Sequence, residues 1–185
     1  MRVETVEEAE GAARPAVFPP EENYVDLRAN PRSIEQIPEV RQYLPLRNFL
    51  TSINGAESVF ATAGASAKAD SPAAVSAGLA HEFASQIAIV FAAPSLNGDR
   101  KHFSDLCAGL SELLGRDSAD AARVVLRISA YDFPAVGRRG YCLDIRLVAE
   151  GGSAQQAELR WGLCLARIQQ ALLFLSRALK QKTAE

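Results

Sequence analysis

Apolar residues recur along this chain with one of two periods, and the alternation of those periods sets the expected architecture. Leu46, Phe49, Leu50 and Ile53 fall three and four residues apart, the spacing of one helical face. Pro45 suits the first turn of that helix and Asn54-Gly55 ends it. Upstream, Ser33-Ile-Glu-Gln36 has capping-box spacing, while Pro38 and Pro45 prevent a single continuous helix. Phe103, Leu106, Cys107, Leu110, Leu113 and Leu114 mark a second helix, opened by Asn97-Gly98-Asp99 and stopped at Gly115. A long third helix follows Gly151-Gly152-Ser153, from Ala154 to about Lys182. Its stripe of Trp161, Cys164, Leu165, Ile168, Leu172, Leu175 and Leu179 should lie on a sheet. Leu159, Leu163, Leu173 and Phe174 fall on a different side, and a helix apolar on two sides is usually covered on two sides.

Between the helices the period is two. Residues 122–133 and 140–150 alternate cleanly and read as a hairpin joined by FPAVGRRG. Charge suggests its register: Arg127 opposite Asp144 gives an attractive cross-strand pair, whereas a two-residue slip sets Arg127 against Arg146. HEFASQIAIVF reads as another strand, with a helix from Pro72 to Ala80 before it as the open alternative. FATAGASAKAD places alanine at every odd position from 61 to 69. Alanine is a weak strand former, so an inner face of bare methyls implies close approach of a neighbour. The order helix-strand-strand-helix-strand-strand-helix predicts an α+β domain. Its antiparallel sheet has about four strands, with helices mainly on one face.

Residues 1–32 are rich in Glu, Pro and Ala, with short apolar anchors at Val17, Phe18, Tyr24, Val25 and Leu27. They read as an extended N-terminal arm, docked through those anchors, ahead of one domain over 33–185. The whole chain has 185 residues and a net charge of −2, which argues against a general electrostatic pull on nucleic acid or anionic lipid. Acids outnumber bases in residues 1–33 and bases outnumber acids in 153–185. No secretory leader or bilayer-spanning run is visible, so the cytoplasm is the expected compartment.

Candidate chemistry is sparse. Three cysteines argue against a disulfide framework, and His81 and His102 lack partners at metal-ligand spacing. Neither metal nor cofactor is expected, and glycine-rich phosphate signatures are absent. Cys107 and Cys164 sit in apolar stripes; Cys142, on the polar side of the hairpin, is the one candidate reactive thiol. Three surfaces remain. Leu159, Leu163, Leu173 and Phe174, with Phe18 and Tyr24 of the arm, form a candidate partner interface. Arg100 and Lys101 at a helix start, and Arg138 and Arg139 at a hairpin tip, are candidate anion or ligand contacts. Arg123, Arg127, Tyr131 and Arg146 on one sheet face have the arginine-plus-aromatic composition used to bind single-stranded nucleic acid, although Asp144 and Glu150 share that face. The leading expectation is a non-enzymatic assembly subunit that associates with itself or another protein through the last helix and the arm. A small anionic-ligand-binding protein or enzyme is the alternative, and single-strand nucleic-acid binding the third reading.

Overall fold

The computed structural model describes residues 1–7, 16–18, 25–70, 81–115, 121–133 and 138–184. Among these residues six strands form one sheet. In chain order the elements are β1 (Arg2–Glu7), β2 (Ala16–Val17), a 3-10 turn (Pro31–Gln36), α1 (Pro38–Gln42), α2 (Leu44–Ile53), β3 (Phe60–Asp70) and β4 (His81–Phe91). They continue with a second 3-10 turn (Pro94–Gly98), α3 (Arg100–Leu114), β5 (Ala122–Phe133), β6 (Arg138–Gly151) and α4 (Ala154–Ala184).

The sheet runs β1-β5-β6-β4-β3, with β2 pairing β5 beyond the end of β1. β3, β4, β6 and β5 are mutually antiparallel neighbours, while β1 and β2 run parallel to β5. The class is therefore α+β with a mostly antiparallel sheet, and the sheet is wider than the four strands the periodicity predicts. The addition comes from the N-terminal arm, whose residues 2–7 and 16–17 extend the β5 edge. Arg127 does stand opposite Asp144, the register that charge favours.

One face of the sheet holds the main core. Val124, Leu126 and Ile128 of β5, Leu143, Ile145 and Leu147 of β6, and Phe83, Ile87 and Ile89 of β4 are buried there. The helices close over them, α4 across β6 and β4, α2 beside it toward β3, and α3 toward β5 and β1. The inner stripe of α4 is buried from Ala157 through Trp161, Cys164, Leu165 and Ile168 to Leu172. Trp161 packs against Tyr43 and Phe83, with ring centroids 5.9 and 4.5 Å away, and donates its indole N–H to Ser85 Oγ at 2.9 Å. That bond satisfies the one polar atom of the largest core side chain. Gly162 lets α4 pass close to α2: a Cβ there would come within 2.9 Å of Pro45 Cγ.

Three expectations change. The Ser33–Gln36 capping box does not form; Ser33 lies buried inside the 3-10 turn, whose N-cap position is held by Asn30. The five alanines of β3 do not share a face. The pairing shifts between Thr62 and Gly64, so Ala63 is an extra residue opposite no partner. A bulge of this kind reverses the phase of the alternation. Ala61 and Ala63 therefore join a second cluster on the face away from the helices, with Ala88, Val90, Phe133 and Cys142, while Ala67 joins the main core. Third, Cys142 is fully buried in that second cluster. The Pro72–Ala80 segment and the tip of the β5–β6 hairpin lie outside the described residues. No helix among the described residues is long and apolar enough to cross a membrane.

Candidate functional site

α4 is the central helix of its layer, flanked by α2 and α3, and among the described residues its outermost ridge is left uncovered. At helical spacing that ridge reads Leu159, Leu163, Ala166, Gln170, Phe174 and Arg177, all exposed. The apolar members stand well out: Leu159 is 64%, Leu163 61% and Phe174 59% exposed. Leu173, which the periodicity groups with them, turns partly inward against the main core. Leu44 at the start of α2 is also exposed.

The ridge has relief. Along its N-terminal half, Pro45 and Asn48 of α2 and Leu159, Gly162, Leu163 and Ala166 of α4 bound an open groove of about 1120 Å³. The close approach at Gly162 forms its floor. On the C-terminal half Phe174 projects at the border of a shallower depression shared with Leu113 and Leu114 of α3. Each half of the ridge thus carries a depression edged by exposed apolar side chains, with the Phe174 ring on the C-terminal half.

The arm residues fall elsewhere. Phe18 packs edge-on against Phe133 of its own chain at 5.6 Å, and its N–H bonds the Asp132 carbonyl at 2.7 Å. Tyr24 lies outside the described residues.

The face of the sheet away from the helices carries the second candidate set. Arg123 and Arg127 are exposed on β5, and Arg146, opposite Val125, is exposed between them. Tyr131 lies further along, half-buried against the cluster under Phe133. Carboxylates interleave with the arginines: Glu4 pairs with Arg2 at 2.9 Å, and Asp144 accepts from Ser129 Oγ at 2.6 Å and from Cys142 Sγ at 3.7 Å. The three arginines come together, and the tyrosine stands apart from them.

The third set is brought only partway. Gly140 abuts the Asn97 carbonyl, where a Cβ would come within 2.5 Å, so the starts of β6 and α3 meet at one end of the sheet. Lys101 is held by Asp105 at 2.7 Å, and Arg139 stands 3.4 Å from Asp132. Lys101 Nζ donates to the Asp105 carboxylate, which holds the lysine pKa up and the carboxyl pKa down. Arg100 is half-buried, and the Arg138 side chain lies outside what is described. Asp99 caps α3, accepting from the Lys101 N–H at 2.8 Å.

All three cysteines are buried and none is in a disulfide. Burial pushes the Cys107 thiol up to about 11, which keeps it protonated and unreactive at neutral pH. Among the described residues no three His, Cys, Asp or Glu side chains gather as metal ligands would.

Sequence reasoning missed one feature of a different kind. At the sheet end where β4 stops, a cavity of about 680 Å³ opens between α3 and the last turns of α4. Five separate stretches of chain line it, so periodicity within any one of them carries no sign of it. Compared with protein-family models, curated proteins and solved structures, the chain matches none.

Proposed function

We propose that this protein is an assembly subunit that pairs with a second copy of itself through the outer ridge of α4. The observation that carries this reading is the self-complementary relief of that ridge. Leu159 and Phe174 are equidistant from the Ala166–Arg167 peptide, and so are Leu163 and Gln170. Two copies of α4 laid antiparallel about that point bring the Phe174 ring of each onto Leu159 of the other. The ring then enters the groove bounded by Pro45, Gly162 and Leu163. A two-fold axis satisfies both halves at once, as an isologous interface requires. Ala166, at the crossing point, lets the helices approach closely.

The energetics favour burial of this ridge. Three large apolar side chains over about 22 Å of helix are held in water by the isolated fold. Covering each contributes about 1.5–3 kcal/mol. Aromatic anchors that fill a partner's pocket are the residues that dominate interface energies. In this reading the arm serves each subunit's own sheet, with Phe18 on Phe133, and association runs through the helix alone.

Sedimentation equilibrium is the direct test. The unsubstituted chain is expected to run as a dimer at micromolar concentration. Leu159→Glu with Phe174→Glu should give a monomer whose melting temperature, measured under dilute conditions, is unchanged, because both positions are exposed in the single chain. A monomeric unsubstituted chain, or a dimer that survives both substitutions, ends the proposal.

A further inference from the structure

The cavity at the end of β4 has the two halves of an amphiphile site. Val59, Phe91, Leu96, Leu106, Leu175 and Leu179 make an apolar floor. Arg28, His102, Asp105, Lys180 and Lys182 stand around it. The carboxylate among them is already engaged, because Asp105 accepts from Lys101 Nζ at 2.7 Å. Three cations, Arg28, Lys180 and Lys182, line the space with Asp105 as the lining acid, while Glu57 stands 3.9 Å from Lys180.

The cations are arranged, not merely nearby. Arg28 Nη1 donates to the carbonyls of Gly55, Ser58 and Phe60 at 3.3, 3.1 and 2.9 Å. Carbonyl oxygens orient a guanidinium without cancelling its charge, so a fixed positive group is held at the cavity wall. Lys180 Nζ donates to the Ala56 carbonyl at 3.3 Å and lies 3.9 Å from the solvent-exposed Glu57 carboxylate, which anchors a second cation from α4 at the cavity. Lys182 is near enough to Asp105 to help hold that carboxyl's pKa down. His102 lies edge-on to Phe91 at 5.9 Å, where floor and mouth meet. Small-molecule sites have this volume and this mix of apolar walls with a few converging polar groups.

We propose that this cavity binds a small amphipathic anion. Its acyl chain or aromatic body lies on the Phe91–Leu106–Leu175 floor, and its carboxylate or phosphate head sits against Arg28, Lys180 and Lys182. The site stands apart from the α4 ridge and does not depend on self-association.

Isothermal titration of the full chain at low salt tests this with four probes: decanoate, decyl phosphate, decanol and decyltrimethylammonium. Both anions should bind below about 1 mM, with the neutral alcohol at least about tenfold weaker and the cation weaker still. The stronger of the two anions identifies the head group. Lys182→Glu, at an exposed position, should weaken anion binding about tenfold. Ala178→Trp, which fills the cavity, should abolish it while circular dichroism shows the fold retained. Equal binding of decanol and decanoate overturns the proposal, as does no binding at about 1 mM. Binding that survives both Lys182→Glu and Ala178→Trp also overturns it. Loss of binding only in the Leu159→Glu, Phe174→Glu chain would assign the anion to the α4 ridge instead.

Discussion

Asn97 lies in no strand, yet its buried side chain completes the end of one. Its Oδ1 accepts from the Phe91 N–H at 2.8 Å, and its Nδ2 donates to the Phe91 carbonyl at 2.9 Å. One amide thus imitates the paired N–H and C=O of a neighbouring strand just where β4 stops. Asn54 does similar work at the end of α2, donating to the Leu50 carbonyl and to Thr62 Oγ1 and accepting from the Thr62 N–H. Both residues sit in Asn-Gly pairs, which the sequence marks correctly as turn signals. What the pairs do not reveal is the distant backbone each amide serves. Asn97→Ala strands a buried donor and a buried acceptor together, which should destabilise the fold by about 2–4 kcal/mol. Urea unfolding followed by the fluorescence of Trp161, the single tryptophan, measures it. A loss under about 1 kcal/mol would mean that water replaces the amide there.

At the scale of elements, legibility follows the length of the repeat. α4 repeats its period over 31 residues, so both its inner stripe and its outer ridge stand out in the sequence. α3 and the β5–β6 pair are nearly as plain, down to the Arg127–Asp144 register. β3 misleads because its alternation is real but its phase changes partway. Nothing in FATAGASAKAD distinguishes Ala63 from its neighbours, and only the pairing to β4 singles it out. Deleting Ala63 therefore leaves Thr62 opposite Ile89 and Gly64 opposite Ala88, turning a bulged ladder into a regular one. The expected loss is about one buried methyl, near 0.8 kcal/mol. Deleting Ala67 is different. It swings one half of the strand to the opposite face and directs Lys68 toward the main core, which should destabilise the fold by more than about 3 kcal/mol. Thermal melts of the two deletions side by side test the bulge: equal destabilisation would place the extra residue elsewhere.

Across the whole molecule, the sheet depends on a strand whose partner is more than a hundred residues away. MRVETVE carries little hydrophobic signal. Val3 and Met1 face the core, while Arg2, Glu4 and Val6 follow the exposed side beside Arg123, Val125 and Arg127. Parallel pairing with β5 cannot be read locally, because the two strands lie more than a hundred residues apart along the chain. Its consequences are large. Met1 is buried, Thr5 Oγ1 lies 3.4 Å from Ser111 Oγ of α3, and the pairing occupies β5 from Arg123 to Ile128. Removing residues 1–7 empties the Met1 site and opens that length of β5 as an unpaired edge. Loss of the methionine side chain alone amounts to about 1.5–3 kcal/mol, and the lost ladder adds to it. An open edge next to buried apolar residues is also a template for strand addition by another chain. The truncated protein should therefore melt earlier and form large, concentration-dependent species that bind thioflavin T. Combining the truncation with Leu159→Glu and Phe174→Glu separates the two routes of association. Edge growth should persist without the α4 ridge, whereas the discrete dimer should not; if the double substitution also abolishes the large species, the ridge and not the β5 edge drives them.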